Sequence, residues 1–274
     1  MAPRERLYDR LMTVLFPEHL DLLRMHGRAA GHSLGQLSEG DALPPRGESA
    51  LSVASEHWGT LEVWAWSVEN PGLHWSQRAE PESSADYPTL VRETAAVLDR
   101  LVISLLSAGP GASIDYFGRP GTVADVARML AHEAIAVAHA ASLAAGRAPM
   151  VLSQAVASDG IDQSLGHWAS SESNGAWEPE TVAVRTTDTH DVWHLSLGRG
   201  SSNSEGEFRV VAPGVPAAVV EGPANHVLWW LHGYTTPADA VRLTGAPKRI
   251  RDLRSVLMHP EEEPLRRRRR WFLW

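Results

Sequence analysis

The period of the apolar residues changes near residue 150, and that change limits the fold more than any other feature of the chain. Up to about residue 147 the spacing is helical. Leu7, Leu11 and Leu15 recur at i+4, and Pro17 marks a break or a first helical turn. Leu20, Leu23, Ala30, Leu34 and Leu37 follow, with Gly27, Gly31 and Gly35 as an i+4 glycine stripe. Each glycine costs about 1 kcal/mol against alanine, a cost that close helix approach or room for a ligand would offset. Further helices are expected over about 48–68, 87–106 and 122–146, the last alanine-rich and closed by Gly146. Residues 38–47, 71–86 and 110–121 read as loops by their Gly, Pro and polar content. Four helices with such connectors suit an antiparallel bundle. Beyond 150 the segments Thr181–Thr187, Val192–Leu197, Glu207–Ala212 and Ala217–Glu221 alternate as strands do. Residues 222–232 then read as a helix, and 200–206 as a polar loop. The expected class is α+β: an N-terminal four-helix bundle over 1–150, a smaller C-terminal α+β domain over 151–258, and a basic, aromatic tail over 259–274.

Composition removes several functions. With no cysteine there is no disulfide, thiolate metal site or cysteine nucleophile. A net charge of -8 argues against nonspecific nucleic-acid binding. No apolar run is long enough for stable membrane insertion, and the N-terminus lacks a signal-peptide pattern, so a cytoplasmic chain, monomer or homodimer, is the default reading. Charge is uneven: Arg266–Arg270 form a run followed by Trp271–Trp274, and the rest of the chain is correspondingly more acidic. Such a tail reads as a frayed terminus, as docked on acidic residues such as Glu261–Glu263, or as touching an anionic membrane or a phosphate backbone. Eleven tryptophans against four phenylalanines and four tyrosines are unusual. Trp58, Trp64, Trp229, Trp230 and Tyr234 are candidate lining of a pocket for a flat, partly polar small molecule, and equally candidates for core filling.

One helical segment carries chemistry. Ala131-His132-Glu133 is followed by Val137, Ala138, His139, Ala140, Ala141 and Ala144-Ala145-Gly146. His57, Gly59 and Trp64 form a second constellation, Ala157 through Asp162 a third, and Gly222-Pro223-Ala224 opening an apolar helix a fourth. Together these resemble the mycothiol-dependent maleylpyruvate isomerase family, which joins a DinB-type metal-binding four-helix bundle to a small α+β domain. The resemblance implies an isomerase or thiol transferase acting on a small unsaturated acid, with zinc and mycothiol as cofactors. It implies His57 and Glu133 as two metal ligands. The family's third ligand, a histidine four residues after the glutamate, is replaced by Val137. That spacing suits a shared ion because residues i and i+4 lie roughly 40° apart around a helix. Zinc there would lower the pKa of a bound thiol.

His139 lies roughly 120° around the helix from Glu133 and would need a local bulge to serve instead. His132 is the other candidate, and it shares a face with His139. Ala138 and Ala140 stand in place of the family's arginine and aspartate, and Tyr234 where an arginine is expected. The sequence therefore supports two readings. One is an enzyme with a weakened metal site. The other is a repurposed, metal-independent binder, isomerase or cyclase with a tryptophan-lined pocket. Among the remaining histidines, His190, His194, His226 and His232 read mainly as surface or core residues, and Asp159 and Asp162 as turn or cap residues.

Overall fold

A computed structural model describes residues 14–74, 77–79, 86–169, 176–199 and 206–258. Leu7, Leu11, the loop at 200–205 and the tail with Arg266–Arg270 lie outside the described residues. The chain divides into two compact units, one over 15–150 and one from 151 onward. Among the described residues, no helix is long and apolar enough to cross a membrane.

The first unit contains α1 (Phe16–Leu34), a ribbon of β1 (Ala42–Leu43) and β2 (Glu48–Ser49), α2 (Ala50–Glu69), α3 (Tyr87–Ala108), a ribbon of β3 (Ser113–Tyr116) and β4 (Arg119–Thr122), and α4 (Val123–Ala144). Each helix begins where a side chain satisfies the free N–H groups of its first turn. Glu18 accepts from the Leu15 N–H, Ser49 from Ser52 and Asp86 from Thr89. Thr122 and Asp125 cap each other reciprocally. The Thr89 N–H also holds the Asp86 carboxyl below the usual range.

The bundle is not a simple antiparallel one. Arg28 pairs with Asp99, and the Tyr87 hydroxyl donates to the Leu34 carbonyl, so α1 and α3 run in opposite directions. Arg100 pairs with Glu62, and Ser104 with Glu69, so α2 and α3 are parallel. His19 lies beside His132 and Ser33 meets Ser142, so α1 and α4 are also parallel. A connector of the length of 70–86 makes this possible. Parallel neighbours require the chain to return along a whole helix, roughly 30 Å for 20 residues. The two loops expected at 38–47 and 110–121 contain short antiparallel ribbons, with Leu43, Ile114 and Tyr116 turned into the core.

Leucines from all four helices fill the centre: Leu20, Leu23, Leu61, Leu98, Leu101 and Leu130 have almost no exposure. Trp58 and Trp64 join this core, and Trp64 meets Phe117 edge to face with ring centroids 5.2 Å apart. Of the glycine stripe, only Gly27 serves close approach. A Cβ there would sit 2.6 Å from a methyl of Leu98 on α3, whereas Gly31 has nothing within 4 Å and Gly35 lies past the helix end.

The α1–α4 seam carries four buried imidazoles, His19, His26, His132 and His139. The His19 and His132 rings meet edge to face with centroids 6.2 Å apart. The Met150 N–H donates to His139 Nδ1 at 3.2 Å. Burial pushes His139 down to about 4, and burial, then the like charge of His132, lowers His26.

The second unit has α5 (Gln154–Trp168), β5 (Ala176–Thr186), β6 (Val192–Arg199), β7 (Gly206–Val211), β8 (Ala218–Gly222), α6 (Ala224–Leu231), β9 (Arg242–Gly245) and α7 (Pro247–Met258). The sheet order is β7-β6-β5-β8-β9, with only the β5–β8 pair parallel. Val182, Val184, Leu195, Leu197 and Phe208 form its apolar face. The class is α+β, as the change of period indicates. The helix α5, the strand β9 and the helix α7 are additions to the sequence reading. α5 escapes it because Ser158, Gly160, Asp162 and Ser164 interrupt its apolar stripe.

Two outcomes follow from this packing. Gly31→Ala stabilises the protein by about 0.5–1 kcal/mol in chemical denaturation, while Gly27→Ala loses that gain against Leu98. Secondly, His26 and His139 are neutral when folded, and the unfolded chain protonates first as pH falls. The stabilising contribution of His139 is full above the ordinary value of 6.5 and is lost as pH falls toward about 4, and His26 acts in the same direction. The unfolding temperature therefore drops between pH 7 and pH 4.5, and it drops less in His139→Asn, whose amide oxygen can still accept from Met150.

Candidate functional site

His57 and Glu133 meet inside the bundle. His57 lies midway along α2 and Glu133 midway along α4, and opposite helix directions bring the two midpoints level. His57 Nδ1 and Glu133 Oε1 are 3.1 Å apart. The histidine is 2% exposed and the glutamate side chain 12% exposed. Between an ionised carboxylate, which only accepts, and a neutral imidazole, Nδ1 is the donor and Nε2 keeps a lone pair. That Nε2 is buried and has no hydrogen-bond partner. Leaving such an atom unpaired costs about 1–3 kcal/mol, so the pair is built to receive something or tolerates a loss.

The resident zinc that the sequence resemblance implies can be tested against this geometry. Zinc sites that do chemistry use three protein ligands and keep one position open. Val137, in the third position, packs against the apolar core. Among the described residues, no third histidine, aspartate or glutamate brings a ligand atom to within 4.8 Å of both His57 and Glu133. His57 Nδ1 and Glu133 Oε1 are bonded to each other. The residues present therefore do not fit a three-ligand zinc at this point.

The two alternative ligands have identified neighbours elsewhere. His132 stands beside His19, with ring nitrogens within 4.8 Å, a spacing a divalent cation could bridge. His139 accepts from the backbone at Met150. His19 and His26, absent from the sequence reading, lie seven residues apart on the buried face of α1 with Leu20, Leu23, Gly27, Ala30, Ser33 and Leu34. A histidine pair on an apolar stripe was the available signal.

The tryptophans divide between the units. Trp58 and Trp64 belong to the bundle core, whereas Trp229 and Trp230 are buried in α6, with Tyr234 edge-on to Trp229 at 5.6 Å. His232 rests against Trp168 and Trp229, and its Nε2 lies 3.1 Å from Ser164 Oγ. Asp162 accepts from the Trp193 indole at 3.0 Å, tying α5 to β6. His190 sits at positive φ in the β5–β6 turn and is exposed.

No protein-family model matches this sequence, and no curated protein matches it. Two solved structures match the fold. One is a mycothiol-dependent maleylpyruvate isomerase, 12% identical with a TM-score of 0.58, and the other is a histidine-to-alanine variant of such an enzyme, 13% identical with a TM-score of 0.56. Each match covers 84% of this chain and 93% of the other. At that identity the likeness establishes the architecture: this chain has the fold of those isomerases.

Proposed function

We propose that the chain is a metal-independent enzyme of isomerase type, acting on a small organic molecule through the His57–Glu133 pair. The buried, unpartnered Nε2 of His57 carries this reading. Glu133 fixes the ring and the tautomer and offsets the charge when the imidazole is protonated. Nε2 takes a proton from one atom of the substrate and returns it to another. The bonding electrons shift within the substrate, so the reaction is a redox-neutral rearrangement that needs no electron carrier. The surrounding leucine core keeps water away and strengthens the Glu133–imidazolium attraction. A base of this kind contributes about 10²- to 10⁴-fold to rate.

A second reading keeps zinc and a thiol cosubstrate such as mycothiol. It is favoured by the fold likeness to a mycothiol-dependent enzyme and by the sequence resemblance, which implies His57 and Glu133, 3.1 Å apart here, as two of three ligands. Elemental analysis after zinc loading and desalting separates the readings. For the metal-independent pair, His57→Ala leaves the zinc content of the wild type unchanged, and Val137→His adds about one zinc per chain by restoring the i+4 ligand. A wild-type zinc that disappears in His57→Ala sinks the metal-independent reading. With maleylpyruvate as the first substrate tried, turnover proceeds in chelator without thiol and falls about 10²- to 10⁴-fold in His57→Ala. A strict thiol requirement would count for the second reading.

A further inference from the structure

The second unit holds a concentration of unpaired polar atoms that the proposed chemistry does not use. The register of β5, β6 and β7 places Trp177, Gly198 and Glu207 in one cross-strand row. Thr181, Ser196 and Arg209 form the next row, and Ala183, His194 and Val211 the third. Side chains alternate along a strand, so all three rows share one face, opposite Val182, Leu195 and Phe208. On this face Trp177 Nε1, Thr181 Oγ1, His194 Nδ1, Glu207 Oε2 and Arg209 Nε are each buried without a hydrogen-bond partner. His194 is 7% exposed. Ser196 is the satisfied member, donating to the Glu178 carbonyl.

Native proteins pair nearly all buried polar groups, so five unpaired atoms on one sheet face call for a missing partner. The face is also shaped. Gly198 lies beneath the Trp177 ring, where a Cβ would come within 2.7 Å of it. The missing side chain lets the indole lie close over the sheet, and the Arg209 guanidinium sits 4.4 Å from its centroid. Arg209 has no carboxylate partner among the described residues, and Glu207, two residues away on the same strand, does not pair with it. Arg185 lies on the same face and, after burial, lowers the His194 pKa.

We infer that this face binds a small organic acid bearing a hydroxyl or ammonium group near its carboxylate. Arg209, Trp177 and Thr181 supply donors for the carboxylate, and a guanidinium fork suits its two oxygens. Glu207 needs a donor, which the hydroxyl or ammonium provides. His194 Nδ1, two cross-strand rows from Glu207 on the same face, adds a donor or acceptor according to its tautomer.

Calorimetric titration of the full chain with succinate, L-malate and L-aspartate tests this. The three share a four-carbon diacid skeleton and differ in bearing hydrogen, hydroxyl or ammonium. Malate and aspartate are expected to bind about tenfold more tightly than succinate. Glu207→Leu removes that preference, and Arg209→Gln weakens all three about tenfold or more. Thr181→Val, nearly isosteric, weakens binding in the same direction should Arg209→Gln prove unfolded by circular dichroism. His57→Ala binds all three as the wild type does, so this result stands apart from the fate of the bundle site. No binding by any of the three, or equal binding to a folded Arg209→Gln, overturns the inference. Loss of binding in His57→Ala also overturns it, since the acid would then sit at the dyad.

Discussion

The first unit depends on α1 lying parallel and close to α4. Ala127, Ala131, Ala134, Ala138 and Ala141 are fully buried along α4, and small residues let a neighbouring helix come near. This is the most extensive helix pairing in the unit. Once α1 occupies that side of α4, Glu133 is left to face α2, and the opposite running of α2 brings His57 level with it. Ser33, Ser142 and Arg147 close the far end of the same seam by hydrogen bonds.

With Val137 packed on the apolar core, the His57–Glu133 pair has no third ligand beside it among the described residues. An imidazole with one nitrogen bonded to a carboxylate and the other buried without a partner has the arrangement that a general base requires. Zinc at this point would require a side chain at 137 that turns away from the apolar core. The apolar packing of Val137 and the hydrogen bond between His57 and Glu133 favour the same state.

Much of this arrangement was legible in the sequence, for reasons that particular residues make plain. The leucine and alanine spacing locates α2, α3 and α4 to within about two residues, and alternation locates β5 to β8. The meeting of His57 and Glu133, 76 residues apart, was reachable only through the motif resemblance, because nothing local in either helix points at the other. Helix direction was not legible: periodicity is identical for parallel and antiparallel neighbours, and only the length of the 70–86 connector hinted at the answer. The polar sheet face was hidden for a related reason. Trp177, His194 and Arg209 sit on three strands, and their adjacency is a matter of register, which β5 breaks with an irregularity between Trp177 and Thr181.

The parallel seam also sets a timetable for synthesis. α1 is made first, yet its principal partner α4 is complete only at residue 144, more than a hundred residues later. At ordinary elongation rates that is on the order of ten seconds. Through that interval the face bearing Leu20, Leu23 and Ala30 has no α4 to cover it, and only α3 can meet it beforehand. The bundle cannot close as two independent helical hairpins, so its folding is tied to long-range contacts that form late.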